Sequence, residues 1–148
     1  MKHKDIDFHI YTSPFRISDS FQAMARLAEN PLIKRIEYGN SLDTEERCVE
    51  WHAWFQDPDN ELWQIDMIHI VKGSRYDGYF EMAERITAVL TDETRQAILK
   101  LKYETPDTAK IMGVEYYQAV IQDGVRTYAE LEDWKKQHPV TGVIEWIP

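Results

Sequence analysis

The sequence predicts an α+β fold, with a mixed β-sheet in the first half and a helical second half. Two observations carry this. Apolar residues recur every second position in Lys4–Tyr11, Cys48–Phe55 and Leu62–Ile70, the period of strands. Beyond Lys72-Gly73-Ser74-Arg75 they recur at three- and four-residue spacing, the period of helices. The order βαβββ followed by three to four helices places residues 1–75 in a sheet region. Residues 76–148 form a helical region expected to pack on it as one compact unit.

In chain order, Ile6, Phe8 and Ile10 alternate with Asp5, Asp7 and His9, so the first segment reads as a half-buried strand with its acids and imidazole on one face. Thr12-Ser13-Pro14-Phe15 breaks it. Ser18 or Asp19 is the expected cap of a helix whose buried stripe is Phe21, Met24, Leu27 and Ala28. Asn30-Pro31 stops that helix, because a residue before proline is pushed out of the α region. Ile33–Tyr38 is a shorter strand. Asp57-Pro58-Asp59-Asn60 is a turn that should join the next two strands as an antiparallel hairpin. In that hairpin Asp66 shares a face with Gln64 and Ile68, and Trp63, Ile65, Met67 and His69 take the other.

In the second half, Phe80, Ala83, Ile86, Val89 and Leu90 form one stripe, and Ile98, Leu99 and Leu101 begin another after Thr91. Thr105-Pro106 reads as a helix opening ahead of Ile111, Val114, Tyr117, Val120 and Ile121, with Gly124 as terminator. Thr127 and Glu130 have capping-box spacing, His138-Pro139 closes the last helix, and Val143–Ile147 is a strand or a docked tail.

Composition narrows the function classes. The chain has 148 residues, 43% hydrophobic content and five tryptophans, enough for a packed core. No apolar run approaches the roughly 20 residues that span a bilayer, and Met-Lys-His-Lys-Asp lacks the apolar stretch of a signal peptide. A single cysteine, Cys48, fits a reducing compartment, so the expectation is a cytoplasmic protein without membrane contact. The net charge of −9 disfavours extended nucleic acid as a partner.

The residues with chemistry to offer are Asp5, Asp7 and Asp66. A carboxylate inside an apolar strand is costly unless paired or bound to a cation. Three facing one another repel unless something positive lies between them, and Mg²⁺ or Mn²⁺ suits all-oxygen ligands. Spacing alone says little, since Asp57 and Asp59 share the interval within a turn. Strand context and the third acid distinguish the set.

The strand Asp5-Ile6-Asp7-Phe8, then a helix, then a hairpin bearing Asp66, resembles the nucleotidyltransferase superfamily that includes DNA polymerase β and the aminoglycoside and lincosamide nucleotidyltransferases. The resemblance covers about the first 70 residues. It implies a nucleotidyltransferase-like fold and transfer of a nucleoside monophosphate from a nucleoside triphosphate to a small acceptor. It also implies Asp5 and Asp7 as metal ligands, and Asp66 as third ligand or general base. His9, His52, Trp54 and Gln64 are then the expected substrate-binding residues.

The family's Gly-Ser pair, about ten residues before the first Asp, has no counterpart among Met1, Lys2, His3 and Lys4. The expectation is therefore a start further upstream or an inactive binding or assembly module. Lys72-Gly73-Ser74-Arg75 reads as a surface turn. A third reading is a metalloenzyme in which His9, His52 and Asp66 form a 2-His-1-carboxylate site for Fe²⁺ or Zn²⁺. Trp51, Trp54 and Trp63 are candidates for stacking a nucleobase or for cross-strand packing, and Cys48 reads as a small buried hydrophobe. An open sheet edge points to a homodimer.

Overall fold

The computed structural model describes residues 4–148 and is α+β. The chain divides after Asp77 into two compact units, the first carrying the sheet and the second the helices. Among the described residues, no helix is long and apolar enough to cross a membrane.

The first unit holds β1 (Asp5–Ile10), α1 (Ile17–Ala28), β2 (Ile33–Asn40), β3 (Cys48–Gln56) and β4 (Leu62–Ile70). These strands form one mixed sheet in the order β1-β4-β3-β2. The β3–β4 and β2–β3 pairs are antiparallel, and β1 lies parallel to β4. The hairpin turn closes as its residues dictate. Asp57 Oδ1 accepts from the Glu61 amide at 2.9 Å, and Asn60 takes the left-handed conformation (φ 65°) that asparagine tolerates.

Helix α1 seals one face of the sheet. Met24 packs with Trp51, Ala53 and Met67, flanked by Ile10, Leu27, Ile36 and Ile65. Its start differs from expectation. Arg16 is the N-cap and makes no side-chain cap bond, so Ser18 and Asp19 lie inside the first turn. Ser20, outside the predicted stripe, is buried because its hydroxyl bonds His69. Strand β1 is also less covered than expected, with Ile6 43% and Phe8 49% exposed. It lies at the sheet edge, where Ile10 is the β1 side chain packed against the α1 cluster.

The second unit holds α2 (Tyr79–Val89), α3 (Asp92–Glu104), α4 (Gly113–Ile121) and α5 (Tyr128–Gln137). Ile98, Leu101, Tyr116, Ala119, Val120, Leu131 and Trp134 form its main core. Thr91 with Thr94, and Thr127 with Glu130, close reciprocal capping boxes. Gly124 (φ 70°) turns the chain so that the Val125 amide reaches back to the Ala119 carbonyl at 3.0 Å.

Thr105-Pro106 does not open a helix. Thr105 is the extended C-cap of α3, its hydroxyl donating to the Leu101 carbonyl at 2.7 Å, and α4 begins only at Gly113. The proline lacks the amide needed to continue α3. The last segment forms no strand, and Ile144 and Trp146 dock against the Met82, Ile86 and Val114 cluster.

Candidate functional site on the open face of the sheet

The face of the sheet opposite α1 is polar, and the strand register sorts its residues into rows that run across all four strands. The first row is Asp5, Gln64, Trp54 and Arg35; the second is Asp7, Asp66, His52 and Glu37; the third is His9, Ile68, Glu50 and Gly39. Asp5, Asp7, Glu37, Glu50 and Asp66 put five carboxylates on this face, against one guanidinium, Arg35. That guanidinium is already engaged, ion-paired with Glu37 and stacked 4.5 Å over the Trp54 ring.

Asp66 sits at the centre. Its neighbour on β1 is Asp7 and its neighbour on β3 is His52. His52 Nδ1 lies 2.6 Å from Asp66 Oδ1 and donates to it, since the carboxylate can only accept. Gln64 Nε2 donates to Oδ1 at 2.9 Å and to Oδ2 at 3.2 Å. On the other side of the His52 ring, Nε2 faces Glu50 Oε2 at 3.8 Å, and Glu50 is held through Oε1 by the Ser41 hydroxyl at 3.0 Å. Asp66, His52, Gln64 and Trp54 are half-buried, and Asp5 and Asp7 are exposed.

The third row closes on an apolar floor. Cys48, Ile68 and Ile70 pack with Tyr76, whose ring lies 5.8 Å from that of His9. Burial lowers the pKa of His9 below the ordinary imidazole value, against an opposing pull from Asp7. Burial, with Glu50 and Glu46 nearby, pushes the Cys48 thiol up to about 12, so it is protonated and unreactive at neutral pH.

Register thus brings Asp7 beside Asp66 and sets Asp5 one row away, but their carboxylates do not converge. Among the described residues, the group of three whose ligand atoms all lie within 4.8 Å of one another is Glu46, Cys48 and Glu50. Asp66 is held by the donors of His52 and Gln64. His9 stands a row beyond His52, facing Tyr76 rather than Asp66.

The tryptophans divide between the faces. Trp54 borders the polar site, Trp51 is buried beneath α1, and Trp63 lies on the α1 side with its indole donating to Asp57. In Lys72-Gly73-Ser74-Arg75 the Gly73 amide donates to Asp77 Oδ2 at 2.7 Å and Arg75 pairs with Glu45 in the β2–β3 connection.

A second polar cluster escaped sequence reasoning. His69, 1% exposed, stacks on Phe15 at 4.3 Å and bonds Thr12 Oγ1 at 2.8 Å and Ser20 Oγ at 2.5 Å. Thr12 donates to the Pro14 carbonyl, which leaves its oxygen to accept from Nε2–H, while Ser20 donates to Nδ1. Burial lowers the pKa of His69 below the ordinary imidazole value, against an opposing pull from Asp19. Its position among apolar residues on the α1 face was the available signal.

Comparison with protein-family models, curated proteins and solved structures gives no significant match.

Proposed function

We propose that the polar face of the sheet is a nucleotidyl-transfer site, using a nucleoside triphosphate and a small hydroxyl-bearing acceptor. Asp5, Asp7 and Asp66 would hold Mg²⁺ or Mn²⁺. The observation that carries this reading is the register pairing Asp7 with Asp66 on adjacent parallel strands, on a face where the described strand residues carry five carboxylates and one guanidinium. The donor set fits such an ion, being hard oxygen ligands at a partly open surface. When bound, the ion supplies charge neutralisation for the triphosphate and polarises the reacting oxygens. The acceptor oxygen forms a bond to the α-phosphorus as the bond to pyrophosphate breaks, and the acceptor's proton passes to Asp66 as general base. Trp54 and Gln64, in the first row, offer an aromatic surface and an amide for orienting substrate.

The test is thermal melting with Mg²⁺ or Mn²⁺ and each nucleoside triphosphate. Ligand at 100 times its Kd should raise the Tm by about 5–10 °C. Asp7→Asn should lose that rise, measured against its own metal-free Tm. No rise with any of the four nucleotides would reject the reading.

Two observations favour a second reading, a catalytically inactive binding or assembly module. Both Asp66 oxygens already accept hydrogen bonds, and the three acids are not gathered. A module of this kind would show no metal-dependent rise. The His9, His52 and Asp66 metalloenzyme draws no support from this geometry, because His52 Nδ1 donates its proton to Asp66 and the His9 ring lies against Tyr76. Stoichiometric Fe or Zn in purified protein is its test.

A further inference from the structure

We infer that His52 is the positioning residue for Asp66, setting how that carboxylate meets a divalent cation rather than contacting substrate itself. The inference rests on the metal site proposed above and assigns His52 a different task from substrate binding.

The two oxygens of Asp66 are unequally used. Oδ1 accepts from His52 Nδ1 at 2.6 Å and from Gln64 Nε2 at 2.9 Å, which occupies both of its lone-pair directions. Oδ2 accepts one longer bond, 3.2 Å from the same Gln64 nitrogen. The oxygen left with free coordinating capacity is therefore Oδ2. It belongs to the carboxylate that lies level with Asp7 on the adjacent parallel strand. His52 enforces this division because its Nδ1–H is held on Oδ1 by a short hydrogen bond. Nδ1 is on Asp66, and Nε2 faces Glu50, itself tied to Ser41. Strand pairing reinforces it, since His52 and Asp66 are direct cross-strand partners on β3 and β4. Without the Nδ1 donor, Oδ1 and Oδ2 become nearly equivalent and the carboxylate is free to rotate. A cation must then order the ligand as it binds. Outer partners of metal-ligating carboxylates typically contribute roughly 10- to 100-fold in metal affinity.

Mn²⁺ binding, read from the free-ion electron paramagnetic resonance signal, tests this without any turnover. His52→Ala should weaken Mn²⁺ binding at least roughly 10-fold. His52→Asn, whose side-chain amide nitrogen sits about where Nδ1 sits, should restore affinity to within about 3-fold of the unsubstituted protein. Circular dichroism on the same samples confirms that both variants are folded. A purely structural role would lower the melting temperature of both without separating their Mn²⁺ affinities. Equal affinity in His52→Ala and the unsubstituted protein overturns the positioning role while leaving the metal site standing. Failure of the unsubstituted protein to bind Mn²⁺, alone and with nucleoside triphosphate, overturns the site and this inference together.

Discussion

Asp66 and His69 are neighbours on one strand that face opposite sides of the sheet, and their chemistry differs accordingly. His69 has both ring nitrogens bonded to hydroxyls beneath α1, an arrangement that suits the neutral ring. Its pKa is lowered by burial, as is that of His9. The unfolded chain therefore binds more protons than the folded one once pH falls below the unfolded value of about 6.5, and stability is lost as pH drops through that range. Melting followed between about pH 5 and 8 should show this loss. His69→Gln should lower the Tm at pH 8 and flatten its decline toward pH 5, with the His9 contribution remaining. A decline as steep as in the unsubstituted protein would assign the effect elsewhere. That a histidine inside an apolar strand marks a polar pocket is legible from sequence. Which hydroxyls fill the pocket is not, because Thr12 and Ser20 are distant along the chain and meet His69 only when α1 lies on the sheet.

At the scale of elements, helix ends were the best-read features where capping residues speak for themselves. Thr127 and Glu130 form the expected box, and Thr127→Ala should cost about 1 kcal/mol in denaturant unfolding through loss of its bond to the Glu130 amide. Glu115 was not legible. It lies in an apolar helix, 1% exposed, and is held by Lys135 of α5 at 2.7 and 2.9 Å and by the Met112 amide at 2.7 Å. Lys135→Met should destabilise the helical unit by about 3 kcal/mol, at the low end for a broken buried pair because Lys135 is itself 36% exposed. The double substitution Lys135→Met with Glu115→Leu should recover most of that loss, since it removes the unpaired buried charge. The misread Thr105-Pro106 has a related cause. Proline is tolerated in a first helical turn and also ends a helix, and only the following residues' packing selects between the two.

For the whole molecule, the two units have separate clusters of buried residues, one centred on Trp51, Ala53 and Met67 and the other on Leu101 and Leu131. Leu131 is fully buried, so Leu131→Ala should cost about 2–5 kcal/mol, read as lost hydrogen-exchange protection in α3, α4 and α5. The net charge of −9 acts at this scale too. It concentrates cations near the acidic face and repels polyanions. Fluorescence polarisation with labelled DNA or RNA oligomers should show no binding at physiological salt, and saturable binding would contradict the small-substrate reading.

The sequence by itself determined the strands, the hairpin, the helix starts at Thr91 and Thr127 and the presence of acids on one face of β1 and β4. These follow from local periodicity, turn chemistry and side-chain alternation, all of which act over a few residues. Tertiary structure decided the rest. The parallel pairing of β1 with β4 brings Asp7 level with Asp66 across more than fifty residues of chain. The antiparallel register of β3 places His52 on Asp66, and the same register sends Trp54 to the acidic face and Trp51 beneath α1. Shifting a strand by one residue would exchange its two faces, so a site built from rows across the sheet depends on pairings that no single segment encodes.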